Sequence, residues 1–249
     1  MHALILGCGN IGALYDWETA EVNTYAKAFY SLGVNLSIYD KNLERSKFVA
    51  ARYDAKPLNE WNEVTTDKYD IIVVSTPTST HFEYLTNLLS QPPTLVICEK
   101  PVDSDIDRLN ELKGIYENSS ARVIVNYFRR FQPKMFELAK RVQNLVVKNQ
   151  CKTIIVNYQR GFHNNASHAL DLLAFLFGKS FKPSNVNILN AAPDEFETDP
   201  TMSVSCCWND IQIVLIGLVD AKFSNFEISL YFSSSVIFKP GRILSLLSR

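Results

Sequence analysis

The chain has 249 residues, 47% of them apolar and 20% charged, which is the composition of a folded globular protein and excludes a disordered one. Twenty-five Lys and Arg against 26 Asp and Glu leave a formal net charge of −1, without the basic footprint of a nucleic-acid binder. At ~150 residues per domain, the length predicts one large unit or two moderate ones.

Residues 1–128 alternate short apolar runs with longer amphipathic ones. The runs at 2–7, 34–40, 69–76, 94–100 and 121–128 are rich in Val, Ile and Leu on both faces, as buried parallel strands are. Helical patterns at 25–32, 43–53, 80–89 and 105–117 lie between them, bounded by Gly, Pro, Asn or Ser. Strand–helix alternation of this kind predicts an α/β, doubly wound parallel sheet with right-handed crossovers. The second half changes character. A helix over 132–147 opens near Pro133, a long strand follows at 152–160, and a helix over 166–177 ends at Gly178. Strands are expected at 185–189, 203–208, 211–217 and 226–238, with a tight hairpin turn at 208–211. The stretch 191–200 reads as a solvated acidic loop. The predicted organisation is a doubly wound α/β domain over 1–120 and an α+β domain over 121–249, its sheet mostly antiparallel with helices on one face.

The five cysteines, at 8, 98, 151, 206 and 207, have no zinc or redox spacing, and are expected as reduced thiols packed like small apolar groups. No apolar run approaches the ~18 residues of a membrane span. The N-terminus lacks the basic segment of a signal peptide. A soluble cytoplasmic protein is expected.

The strongest local signal is Gly7-Cys8-Gly9-Asn10-Ile11-Gly12, which follows an apolar strand and opens a helix. Gly7 permits the tight turn, Gly9 lets a pyrophosphate approach the backbone, and Gly12 lets helix and strand pack closely. The unpaired N–H groups that follow, Asn10 and Ile11 among them, offer about half a positive charge to phosphate. The partner carboxylate is Asp40, at the end of the second strand, where it would accept hydrogen bonds from ribose hydroxyls. It lies 28 residues beyond Gly12, more than the usual ~20, and an insertion at 16–23 accounts for the excess. Asp40 favours NAD, while nearby Lys41 and Arg45 leave NADP open.

Two further strand ends converge on the same crevice, since ligands of open parallel sheets bind outside the carboxyl ends of the strands. One is Ser75-Thr76-Pro77-Thr78-Ser79-Thr80-His81, the other Cys98-Glu99-Lys100-Pro101. Lys100 is a lone cation ending a buried strand, and His81 opens a helix. In the second domain, Tyr158 through Leu173 join strand to helix. Here Asn164 and Asn165 are expected as N-caps, and His168, with Asp171 three residues on, is a candidate for proton transfer. His163 and His168 are five apart without a third ligand, so no metal site is expected.

Together these segments resemble the Gfo/Idh/MocA oxidoreductases. The matching motifs are GCGNIG, Asp40, STPTSTH, CEKP, NYFRRF at 126–131, and NNASH followed by Asp171. The resemblance implies an N-terminal Rossmann domain followed by a domain built on a large, mostly antiparallel open sheet that commonly mediates dimers or tetramers. It implies NAD, with NADP also possible, as cofactor. It puts Ser75, Thr76, Pro77, His81 and Glu99 beside the cofactor, Lys100 at the nicotinamide and the reacting oxygen, and His168 as general acid/base. Arg129, Tyr158 and Asn164 become candidate substrate contacts. Many members carry Asp where this chain has Asn164; an amide orients substrate but is no base at neutral pH. The NNASH form is similar to a branch acting in polysaccharide and nucleotide-sugar pathways. The chain also reads as C-terminally short beside family members.

The leading expectation is therefore an NAD(P)-dependent oxidoreductase. Hydride passes between nicotinamide and a hydroxyl or carbonyl carbon of a sugar, cyclitol or nucleotide-sugar held between the domains. Neither a nucleic-acid nor a membrane partner is expected. An alternative is a catalytically impaired NAD(H)-binding homologue acting as sensor or interaction partner. A methyltransferase using the glycine-rich loop is a third, and it leaves CEKP and NNASH unexplained.

Overall fold

The structure is a computed structural model and describes residues 1–91, 95–147, 151–178, 181–223, 225–239 and 245–247. The predicted strand start at residue 94 lies outside them. The chain divides into two compact units, Met1–Asn126 and Tyr127–Arg249.

The first unit is a six-stranded parallel sheet in the order β3-β2-β1-β4-β5-β6. Its strands are β1 His2–Leu6, β2 Asn35–Tyr39, β3 Lys56–Pro57, β4 Ile71–Val74, β5 Leu95–Cys98 and β6 Arg122–Val125, with helices α1 Tyr25–Ser31, α2 Leu43–Arg52, α3 His81–Leu89 and α4 Ile106–Glu117. Alternate residues of β1 enter opposite cores. Leu4 and Leu6 pack with Ile72, Val74 and Leu88, whereas Ala3 and Ile5 pack with Ile38, Val49 and Val73. A strand covered on both faces has no polar side, which is why its sequence is a continuous apolar run. The doubly wound sheet is as expected. Strand β3 was not foreseen: two residues at the sheet edge, one a proline, leave no periodicity to read.

The insertion at 16–23 closes on one buried carboxylate. Asp16 is fully buried and accepts hydrogen bonds from the Asn23 N–H (2.6 Å), the Thr24 N–H (2.8 Å) and the Thr24 hydroxyl (2.9 Å). Thr24 in turn caps α1 by accepting from the Lys27 N–H. Burial works to raise the Asp16 carboxyl, but these donors and the Lys27 charge outweigh it and hold the group below its ordinary value.

The second unit carries a seven-stranded sheet in the order β13-β12-β11-β7-β10-β9-β8. Its elements are α5 Pro133–Val147, β7 Cys151–Tyr158, α6 Ser167–Phe177, β8 Ser184–Ala192, β9 Thr201–Trp208, β10 Ile211–Gly217, β11 Glu227–Phe232, β12 Val236–Lys239 and β13 Ser245–Leu247. Neighbours are antiparallel except β7 and β10, which run parallel. Met135 of α5 and Leu172 and Leu173 of α6 share a core with Ile154, Val156 and Ile213 of the sheet. The strand expected over 226–238 is a hairpin of β11 and β12, with the Phe232 N–H donating to the Ser235 carbonyl. The turn at 208–211 joins β9 to β10, with Asn209 in the left-handed region (φ 52°). The division between units falls at 126/127 rather than 120/121. The reason is β6, which hydrogen-bonds to β5 and so belongs to the first sheet.

Candidate active site

In the first unit, β1 delivers Gly7 in a left-handed conformation (φ +92°), where a Cβ would lie 2.8 Å from the Ser75 carbonyl oxygen. The chain then makes a π-helical turn, Asn10–Leu14. A Cβ on Gly12 would sit 2.1 Å from the Gly7 carbonyl oxygen, so only glycine fits. Gly9 differs: nothing lies within 4 Å of its would-be Cβ. The Ser75 hydroxyl ties the loop down by bonding the Leu6 and Gly7 carbonyls at 3.0 and 2.9 Å. A cavity of about 520 Å³ opens over it. Gly7, Gly9, Asn10 and Ile11 line it from the glycine loop, Ser75, Thr76 and Pro77 from the end of β4, and Asp40, Lys41 and Arg45 from the end of β2.

Asp40 is buried, and its carboxylate is fully engaged. Oδ2 accepts from the Cys8 N–H (2.7 Å) and Arg45 Nε (3.0 Å); Oδ1 accepts from the Asn42 N–H (2.8 Å) and Arg45 Nη2 (2.7 Å). Burial pushes the carboxyl up, but the bonds from Arg45, Cys8 and Asn42 outweigh it and keep the group below the usual carboxylate range. The Arg45 guanidinium is in turn held above its ordinary value by its hydrogen bonds to Asp40.

At the end of β5, Glu99 is held by two side chains that sequence reading missed. Its Oε1 accepts from the Tyr25 hydroxyl and the Asn126 amide, each at 2.7 Å. Burial, then the Glu99 charge, raises the Tyr25 phenol, so it remains a donor. Tyr25 lies 74 positions from Glu99, and no local pattern joins them. Lys100 follows Glu99 and is half-buried. His81, expected beside the cofactor, is 1% exposed. Its ring nitrogens lie 2.9 Å from the Thr76 carbonyl and 3.0 Å from the Pro101 carbonyl. His81 thus ties the STPTSTH and CEKP segments together and, contrary to expectation, does not line the cavity.

In the second unit, β7 ends at Tyr158, which is fully buried. Its hydroxyl donates to the Met202 carbonyl (2.5 Å) and accepts from the Met202 N–H (3.0 Å). Tyr158 is therefore a core residue and not the substrate contact expected of it. Gly161 (φ +84°) leads into a second π-helical turn, Phe162–Ala166, and then α6. Asn164 and Asn165 are not N-caps. Their amides donate to the Arg160 and Gln159 carbonyls. The acceptor at this turn is Asp199, which takes the His163 N–H at 2.7 Å and the Asn164 N–H at 2.8 Å. Asp194, in the same stretch, accepts from the Thr201 hydroxyl at 2.5 Å. The 191–200 loop is thus structural and not merely solvated.

His168 is 5% exposed and sits edge-on to Tyr127 (5.5 Å) and Phe128 (5.7 Å). Asp171, expected to serve His168, instead forms a two-pronged ion pair with Arg130 through Nε and Nη2. The Arg129 guanidinium lies 4.1 Å over the Phe226 ring, and burial lowers its pKa. Among the described residues no group of three or more His, Cys, Asp or Glu is placed to hold a metal. The five cysteines are unpaired, and burial raises Cys98 to about 12.

The parallel sheet and the glycine-lined cavity at its carboxyl edge define a dinucleotide-binding Rossmann protein. The residues present fit such a ligand: open space beside Gly9, and N–H groups of Asn10 and Ile11 that no protein group accepts from among the described residues. Residues 1–127 match the model of an oxidoreductase family with an NAD-binding Rossmann fold, Gfo/Idh/MocA, and the chain belongs to that family. NAD is the cofactor of that fold, and the methyltransferase expectation falls with the match.

Over 75 residues the chain is 29% identical to an inositol 2-dehydrogenase of Rhizobium meliloti (strain 1021). The alignment covers 30% of this chain and only 22% of that protein. Among solved structures, the fold is similar to a myo-inositol dehydrogenase from Corynebacterium glutamicum ATCC 13032 (20% identity, TM-score 0.77, covering 96% of this chain and 75% of that one). It is also similar to the WlbA dehydrogenase from Bordetella pertussis in complex with NADH and UDP-GlcNAcA (17% identity, TM-score 0.79, covering 99% and 81%).

Proposed function

We propose that the protein is an NAD(P)-dependent dehydrogenase or reductase acting on a CH–OH carbon of a sugar, cyclitol or nucleotide-sugar. The observation that carries the reading is the glycine-loop cavity in a chain of this family. Relatives named as inositol dehydrogenases, and one solved with a nucleotide-sugar, support the substrate class. Bound nicotinamide would supply the hydride acceptor or donor. The chain's own residues do the rest. Lys100 stabilises the oxyanion that develops as the hydroxyl is oxidised. His168 takes or returns the hydroxyl proton. Asn164 and Arg129 orient the substrate, Asn164 without serving as base. Assembly into a homodimer or homotetramer through the open sheet is supported by edge strand β8, where Val186, Ile188 and Leu189 are each at least 60% exposed. No helix among the described residues is long and apolar enough to cross a membrane, and unpaired cysteines suit a reducing compartment such as the cytoplasm.

The test is NADH binding followed by fluorescence, with a panel of inositols, sugars and nucleotide-sugars followed by absorbance of the reduced cofactor. Saturable binding with turnover of one panel member supports the reading. A second reading, a sensor that binds NAD(H) without turnover, is favoured by Asn164 in place of a carboxylate. Binding without turnover across the panel selects it.

A further inference from the structure

Glu99 stands at the carboxyl end of β5, one strand beyond β4, and does not line the glycine-loop cavity. The sheet fixes its backbone, since its N–H donates to the Val74 carbonyl at 2.9 Å. A glutamate side chain left to itself samples many rotamers, and holding it in one costs entropy. Here two donors hold it by the same oxygen. Oε1 accepts from the Tyr25 hydroxyl and from the amide of Asn126, the residue that follows β6. Asn126 is itself tied to β5, its N–H donating to the Cys98 carbonyl at 2.8 Å. Oε2 takes no hydrogen bond among the described residues. The carboxylate is clamped at one oxygen and open at the other.

The Tyr25 hydroxyl reaches Glu99 because of the insertion at 16–23. Tyr25 is the first residue of α1, and its predecessor Thr24 is the helix cap. The buried Asp16 carboxylate fixes that cap by its bonds from the N–H groups of Asn23 and Thr24 and from the Thr24 hydroxyl. The backbone ahead of Tyr25 is therefore held from within the insertion, and the half-buried tyrosine projects from a braced start. Its hydroxyl serves no local capping role. Its acceptor lies 74 positions away, beside Lys100.

We propose that Tyr25 is a positioning residue of the cofactor site. With Asn126 it locks Glu99 in one rotamer, so that Oε2 is held ready for a donor on the half of the dinucleotide remote from adenosine. An ionised carboxylate is acceptor-only. The donors that half carries are ribose hydroxyls and the carboxamide NH2. A side chain already ordered loses no rotamer freedom when the ligand arrives, and affinity rises by that saving. The inference rests on the proposed dinucleotide site and deepens it: Tyr25 acts through Glu99, and only on one half of the ligand.

The experiment is titration calorimetry of the whole chain with NADH, ADP-ribose and ADP, for wild type, Tyr25→Phe, Glu99→Ala and the double variant. Tyr25→Phe keeps the ring and removes only the donor. It should weaken NADH by about tenfold and leave ADP unchanged, since ADP lacks the remote half. ADP-ribose separates the two donor types: it weakens with NADH if the ribose hydroxyls bond Glu99, and holds with ADP if the carboxamide does. In the Glu99→Ala background, Tyr25→Phe should add less than about twofold, because the group it acts through is gone. A tie that only stiffens the fold gives neither the ligand contrast nor the coupling. If Glu99→Ala does not fold, the contrast between NADH and ADP in Tyr25→Phe decides by itself. Unchanged NADH affinity in Tyr25→Phe, equal weakening of NADH and ADP, or additive losses in the double variant overturn the positioning role and leave the dinucleotide site standing. Wild type that binds neither NADH nor ADP overturns the role and the proposed function together.

Discussion

Each unit contains a strand followed by a glycine of positive φ and a π-helical turn: β1, then Gly7 and Asn10–Leu14, and β7, then Gly161 and Phe162–Ala166. The two turns treat their unpaired N–H groups in opposite ways. In the first, Asn10 and Ile11 have no protein acceptor among the described residues, and the space beside Gly9 is empty. In the second, the Pro200 carbonyl takes the Phe162 N–H and the Asp199 carboxylate takes those of His163 and Asn164. A Cβ on Gly161 would lie 2.2 Å from Asp199 Oδ2. The second turn brings its own anion, and the first awaits one. The same backbone electrostatics thus serves recognition in one unit and rigidity in the other.

The largest expected effect separates binding from chemistry. Lys100→Met should lower turnover by about 10³-fold while NADH affinity holds, and His168→Ala should do the same through loss of proton transfer. Turnover near wild type in either variant would remove that residue from the mechanism.

Gly9→Ala breaks the comparison on its open side. The cofactor has to approach the backbone there, so NADH affinity should fall by about 100-fold, and the melting temperature should not move, because the new methyl meets no protein atom. A large drop in melting temperature would mean the space is not open.

Asp199→Ala breaks it on the filled side. Two N–H groups lose their acceptor, which costs about 1–3 kcal/mol in chemical denaturation, while NADH affinity is unchanged. Should NADH binding fail along with stability, the two turns are not independent.

A smaller effect depends on pH. The Asp16 carboxyl lies below its ordinary value in the folded chain, so it adds stability above the unfolded value near ~3.9, and that stability is lost as pH falls through the lower folded value. Asp16→Asn should melt earlier than wild type at neutral pH, with the gap narrowing in acid. The smallest effect is at the surface: Glu195→Gln removes the solvent-screened pair with Arg160 and should leave the melting temperature almost unmoved.

Much of the first unit was legible in the sequence. Buried parallel strands write themselves as apolar runs, and the glycine spacing states a backbone requirement directly. Lys100 and Glu99 were found as strand-end residues. What escaped there was long-range: Tyr25 and Asn126 on Glu99, and His81 turned inward between two carbonyls. In the second unit the strands and helices were found, but their roles were misread at Tyr158, Asn164, Asn165 and Asp171. Each of these polar groups has a partner elsewhere in the chain, and the most distant, Met202 for Tyr158, lies 44 residues away. An acidic stretch looks solvated until one knows which N–H groups lie above it.

By itself the sequence determined the alternation of strands and helices, the glycine loop and the order of motifs that marks the family. Those features are local, set by backbone sterics and hydrophobic period within a few residues. Only the tertiary structure decided that Asp40 is already held by Arg45, that Asp171 belongs to Arg130, and that Asp199 fills the second turn. A carboxylate's partner is whichever donor folding brings within 3 Å, and chain order does not record that distance.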